Sequence, residues 1–213
     1  HMHGIAWQAT PGMVCYRRDI ARAVFGTDDP AAIQSLMKDW EGFEQMAVRL
    51  RAAGYRTLPG LHDTYRPFWA NAEHSWLTPE KYLQMDPAIK AWLAQTELFT
   101  AKGYNSLNNT WDMGWRSQVK GSTFCYFLPP WAINQALIPL SRATEENPHG
   151  TYGEWGVCQG PAPFYWGGTW ICAYKDTDNA ELIADIMKTI CLNKDVLRSI
   201  AVKNIEFVND MKV

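Results

Sequence analysis

Between Ile33 and Leu50 the apolar side chains Ile33, Leu36, Met37, Trp40, Phe43, Met46, Ala47 and Leu50 recur at three- and four-residue steps, with Lys38, Glu41, Glu44, Arg49 and Arg51 between them. That period predicts an amphipathic helix, announced by Thr27-Asp28-Asp29-Pro30 and stopped by Gly54, with a break at Asp39 allowed by the pattern. Upstream, the apolar run Ile5 to Cys15, broken by Pro11-Gly12, predicts a strand entering a turn, and Asp19 to Phe25 a short helix capped by Gly26. Leu58 to Trp69 reads as strand and loop. Thr78-Pro79-Glu80 opens a helical stretch, and Ile89 to Phe99 is an amphipathic helix ending near Gly103. Asn105 to Thr110 reads as a polar loop, Trp111 to Lys120 as a short helix and Ser122 to Leu128 as a strand ended by Pro129-Pro130. A helix over Ala132 to Leu140 and a surface loop from Glu145 to Gly153 follow. The pattern closes with strands at Trp155 to Gln159 and Tyr165 to Tyr174 and helices at Asn179 to Leu192 and Lys194 to Val202. Helices alternating with short strands predict an α/β fold with a largely parallel sheet.

Composition narrows the function. With 213 residues, 47% of them hydrophobic, the chain supports one large or two small domains around an ordinary core. A net charge of −2 supplies no basic field for phosphate backbones, which argues against nucleic acid as a partner. The uncharged stretch from Gly121 to Ser141 is interrupted by Pro129, Pro130 and Pro139 and makes a poor membrane span. Five cysteines (Cys15, Cys125, Cys158, Cys172 and Cys191) lack metal-ligand spacing, so neither a zinc site nor any other cofactor is expected. Scattered buried thiols and a Cys125–Cys158 bridge are both compatible with the pattern. No secretory signal is recognisable, and His1-Met2-His3 reads as a cloning remnant.

Eleven tryptophans are the chemical signature of the chain. Trp40, Trp69 and Trp92 fall inside helical or apolar patterns and are expected in the core. Phe164 to Ile171 crowds aromatic rings around Gly167-Gly168, which marks either a bulged core strand or a close approach by a ligand. A ring with an apolar C–H face and hydroxyl edges, such as a sugar, suits aromatic faces beside exposed backbone N–H groups.

Three motifs carry a family resemblance. Tyr16-Arg17-Arg18-Asp19, continued by Phe25 to Pro30 and the following helix, resembles the crossing from first to second lobe in the solute-binding proteins of ABC importers, specifically the carbohydrate class that includes maltodextrin-binding protein. Phe127-Leu128-Pro129-Pro130-Trp131 is similar to the strand-to-helix junction whose tryptophan stacks on sugar. Trp155-Gly156-Val157 through Tyr165-Trp166-Gly167-Gly168-Thr169-Trp170 resembles the return crossover. The resemblance runs from about Trp7 to about Asn204 and implies a type II periplasmic-binding-protein-like lobe that captures ligand without chemistry, in an extracellular or periplasmic, lipid-anchored receptor that serves an ABC permease.

On this resemblance residues 1–4 are the cloning remnant, 5–165 the second lobe, and 166–213 a crossover strand with returning helices that pack on an absent first lobe, so ligand binding by the chain alone is expected to be weak. The implied sugar contacts are Trp131 as stacking platform, Asp63 as carboxylate acceptor, Tyr65 as a facing ring, Tyr165, Trp166 and Trp170 as walls, and Arg66 and Arg17 as reaching cations. For each arginine, a surface role over apolar area competes. A lectin-like module is the alternative, and a glycoside hydrolase fragment a further one. The latter needs two carboxylates about 5 to 10 Å apart, and nothing places Asp63 and Glu154 together. Dimerisation, or swapping of the C-terminal helices, is left open by the sequence.

Overall fold

A computed structural model describes residues 4–145 and 148–203. The stretch 1–3, Glu146-Asn147 and everything after Lys203 lie outside the described residues, and with them most of the stretch read from the sequence as a cloning remnant and the end of the resemblance at Asn204.

In chain order the elements are β1 (Ile5–Ala6), β2 (Met13–Arg17), α1 (Arg18–Phe25), α2 (Pro30–Leu36), α3 (Trp40–Ala52), β3 (Leu58–Gly60), α4 (Tyr65–Ala70), α5 (Pro87–Lys102), β4 (Asn105–Asn108), α6 (Met113–Ser117), β5 (Cys125–Leu128), α7 (Pro130–Ala132), α8 (Ile138–Ser141), β6 (Trp155–Cys158), β7 (Trp170–Ile171), α9 (Ala180–Leu192) and α10 (Lys194–Lys203). They divide into a larger unit, Gly12–Tyr165, and a smaller one made of the segments up to Pro11 and from Trp166 onward.

In the larger unit β2 is central, with β5 and β6 antiparallel on its two sides. β3 runs parallel to β4. It is also stitched parallel to β5 by the Arg56–Thr123 bridge and by Cys125 N–H donating to Thr57 O at 3.0 Å. The spatial order is therefore β4-β3-β5-β2-β6, an α/β sheet parallel on one half and antiparallel on the other. The largely parallel sheet expected from the alternation holds only for β4, β3 and β5. β2 alone runs the other way, antiparallel to both β5 and β6, because it leads into the unit rather than following a helical crossover from a neighbouring strand.

Helices cover the sheet through an aromatic core. Trp40 stacks on Phe68 at 4.2 Å, Phe43 on Phe99 at 5.8 Å, and Phe127 meets Phe43 edge-on at 5.6 Å. The long helical pattern splits at the allowed position: Met37 ends α2, and the Asp39 carboxylate accepts the Gly42 N–H at 2.8 Å to cap α3. Cys125 and Cys158 are unbridged.

Four local expectations are corrected. Thr78-Pro79-Glu80 starts no helix; Thr78 N–H bonds Tyr82 O, Lys81 takes φ +67°, and α5 begins only at Pro87, capped by Asp86. Asn105 to Asn108 is a strand, because Asn108 Nδ2 donates to Pro59 O and Asn105 pairs with Leu58. The segment Ala132 to Leu140 contains a π-helical stretch at Ile133–Leu137 between α7 and α8. In the smaller unit only Trp170–Ile171 of the run Tyr165 to Tyr174 is strand, paired antiparallel with Ile5–Ala6. Gly167 and Gly168 sit at φ +85° and +119°, so the backbone turns there instead of continuing extended.

Candidate functional site

Because β3, β4 and β5 are parallel, their carboxyl ends lie on one edge of the sheet, and the start of β2 and the exit of β6 share that edge through the pairs Met13–Leu128 and Val14–Cys158. That edge is where open α/β sheets take ligands, since backbone ends and helix starts converge there without covering one another. Asp63 and Tyr65 follow β3, Trp111 follows β4, Trp131 follows β5 and Tyr165 follows β6.

Trp131 occupies the first turn of α7, pinned there by Pro129-Pro130, and is half-buried. The ring of Trp111 lies near-parallel to it, 5.8 Å between centroids and 28° between planes, so the two tryptophans form one aromatic platform. Trp111 holds φ +74°, a left-handed conformation that a bulky side chain adopts only when its surroundings impose it, at about 1–3 kcal/mol. Asp112 supplies the constraint: one carboxylate oxygen accepts from Asn109 N–H at 2.9 Å and the other from Trp115 N–H at 2.8 Å, while Arg116 Nε donates to Trp111 O at 2.8 Å. Asp112→Ala is expected to lower stability by about 1 kcal/mol in urea denaturation, as loss of a helix cap does, and to broaden the Trp111 indole resonance.

Asp63 is buried, 5% exposed, at the foot of this platform. Its Oδ1 accepts from Trp115 Nε1 at 2.8 Å, and Trp115 in turn packs against Trp111 at 4.8 Å and edge-on against Tyr126 at 4.8 Å. Its Oδ2 is buried and has no hydrogen-bond partner among the described residues. Burial pushes the carboxyl up to about 7, against the Trp115 indole and the Gly60 and Asp63 backbone, which pull it down. Within the structure, then, Asp63 holds Trp115, and Trp115 backs the platform.

Tyr65 opens α4, half-buried, with its ring edge-on to Trp92 at 4.9 Å and the Arg66 guanidinium 6.0 Å from its centroid. Tyr165 is 57% exposed. Arg17 stands apart at the other end of β2, where Nε donates to Asp19 Oδ1 at 2.8 Å and a terminal nitrogen to Gly121 O at 3.0 Å. Register pairs Arg17 with Trp155 and Met13 with Leu128, which separates the guanidinium from Trp131 by the length of the strand. Trp166 and Trp170 belong to the smaller unit, the first half-buried, the second 64% exposed.

Sequence reasoning missed Trp111 and Trp115. Asp112 before Met113 was a readable helix start, but only the fold reveals which way the ring beside it faces. Trp69, expected in the core, is 40% exposed because α4 is only six residues long and its last turn overhangs a pocket.

The larger unit is thus an α/β sheet with helices and an aromatic platform on its carboxyl edge. The model for the bacterial extracellular solute-binding protein family matches residues 2–202, and the chain belongs to that family. No curated protein matches the sequence. Among solved structures, an extracellular solute-binding protein of family 1 superimposes with TM-score 0.79 at 16% identity, covering 100% of this chain and 54% of its own. The sugar-binding protein MalE from Xanthomonas citri gives TM-score 0.67 at 17% identity, covering 93% and 51%. The galacto-N-biose-/lacto-N-biose I-binding protein of the Bifidobacterium longum ABC transporter, in complex with lacto-N-biose, gives 0.63 at 14% identity, covering 87% and 47%. The chain thus spans about half the length of the solved structures it matches, and the likeness establishes a periplasmic-binding-protein-like fold.

Proposed function

We propose that this chain is one lobe of an extracellular or periplasmic receptor that captures a carbohydrate and delivers it to an ABC importer, without catalysing a reaction. The observation that carries the reading is the Trp111–Trp131 platform on the carboxyl edge of the sheet, backed by the Asp63–Trp115 pair. A flat, rigid aromatic surface takes the C–H face of a sugar ring at little ordering cost, because the rings are already held in place. Fold likeness to proteins whose names declare sugar binding points the same way.

The mechanism is closure. A ligand that touches two lobes shifts an open–closed equilibrium by its differential affinity for the closed form, and a membrane permease recognises that form. The unit from Trp166 onward fits a crossover whose helices return to another lobe, as α9 leaves Leu182, Ile186 and Leu192 at 59, 46 and 60% exposure. Lipid anchoring of the receptor belongs to this reading as well. Asp63 acts in it as a positioning residue beneath the platform, Tyr65 and Arg66 as neighbours of the platform along the same edge, and Tyr165 as a wall.

Titration of the chain with mono- to tetrasaccharides, followed by tryptophan fluorescence, is expected to show weak saturable quenching, and amino acids or oligopeptides none. A flat response to every sugar alongside saturation by a peptide or amino acid would reject the carbohydrate assignment.

A further inference from the structure

We propose that a second pocket of the larger unit, framed by Trp69, Trp76 and Tyr165 above the His74–Asp86 pair, is a carbohydrate subsite separate from the Trp131 platform. The inference rests on the carbohydrate reading and adds a place to it. The pocket encloses about 300 Å³, the small end of the range of about 300–1,000 Å³ typical of small-molecule sites. Its three large rings remain 40, 48 and 57% exposed. One exposed aromatic is ordinary, whereas three around a single concavity form an apolar surface with a ligand's curvature.

The walls come from separate segments and are fixed to one another. Trp69 is in the last turn of α4, and Asn71 just after it donates from Nδ2 to Pro67 O at 2.6 Å and to Pro163 O at 2.9 Å, tying α4 to the segment that presents Tyr165. Trp76 is held at the root of a short hairpin by Gln84 N–H donating to its carbonyl at 2.9 Å and by the Leu77–Leu83 bridge. Asp86 clamps the floor. Its Oδ2 accepts from Glu73 N–H at 2.9 Å, His74 N–H at 2.7 Å and His74 Nδ1 at 3.0 Å, and its Oδ1 from Ala88 N–H at 2.7 Å.

Four donors saturate that carboxylate, so Asp86 shapes the pocket and offers no open charge to a cation. With Nδ1 committed to Asp86, Nε2 is the imidazole's remaining polar atom, on a side chain 56% exposed. Three ring faces, one oriented imidazole nitrogen and a committed carboxylate select a neutral ring with an apolar face and hydroxyl edges. A single hexopyranose unit has that chemistry. It is the terminal or branching unit of a longer oligosaccharide, or a second short sugar.

The test is an indole ¹⁵N–¹H spectrum of the chain titrated with maltotriose, β-1,6-galactobiose and chitotriose. The Trp69 and Trp76 resonances are expected to shift saturably with at least one of them, and to keep shifting in Trp131→Ala. Trp76→Ala should weaken that shift-derived affinity roughly fivefold or more, and Trp76→Phe should restore it to within about twofold, as loss and rescue of one stacking face would. If Trp131 shifts while Trp69 and Trp76 stay fixed in the wild-type chain, the subsite is overturned and the carbohydrate reading stands. If no indole responds to any of the three sugars or to the wider panel, both fall together. An unchanged affinity in Trp76→Ala also overturns the subsite.

Discussion

Trp131→Ala is expected to weaken oligosaccharide binding by about 2 kcal/mol, roughly thirtyfold, the loss typical of a buried aromatic anchor. Trp131 carries this effect because its ring is immobilised from three directions: by Pro129-Pro130 in the chain before it, by the turn of α7, and by Trp111 stacked 5.8 Å away. A ring already ordered loses little entropy when a sugar settles on it, so most of its contact energy survives as affinity. Trp111→Ala should cost less, about 1 kcal/mol, by leaving Trp131 unsupported. Trp131→Phe should fall between alanine and wild type, since a smaller face remains. Sugar titrations monitored by NMR give all three affinities, and equal affinity in wild type and Trp131→Ala would remove the platform from the site.

The second large effect concerns stability. Burial raises the Asp63 carboxyl from 3.8 to about 7, so the folded chain holds this proton more tightly than the unfolded chain does. The stabilisation from the neutral carboxyl is complete below about pH 4 and is lost as pH rises through about 7, to a total on the order of 4 kcal/mol. Asp63→Asn keeps an acceptor for Trp115 Nε1 and cannot ionise. Urea denaturation at pH 5 and pH 8 should therefore show the wild type losing stability between them while Asp63→Asn stays level by comparison. Parallel profiles for the two proteins would mean that Asp63 is solvated in solution.

What the sequence revealed and what it concealed divide along the range of the forces involved. α3 was legible because its apolar period and its cap at Asp39 are local, and the Gly26 and Gly103 stops because a left-handed C-cap favours glycine whatever surrounds it. β4 was not, since Asn105 and Ser106 look like loop residues until Leu58 and Pro59 supply partners from a distant strand. The antiparallel half of the sheet was hidden for the same reason, since strand direction is decided by where the chain enters and leaves the unit. At the site, Trp131 announced itself through the Pro-Pro-Trp junction. Asp63 was identified as a residue of the site, but its burial depends on Trp115, 52 residues away, and no local pattern encodes that. The left-handed Trp111 is likewise a tertiary result, imposed by Asp112 and Arg116 against its own preference.

The claim that the carboxyl edge of this lobe is a sugar-binding surface is tested most directly by intermolecular nuclear Overhauser effects between a bound oligosaccharide and the indole rings. The account predicts cross-peaks from sugar ring C–H protons to Trp131. Cross-peaks confined to a tryptophan at the opposite edge of the sheet, such as Trp155, with none to Trp131, would contradict it.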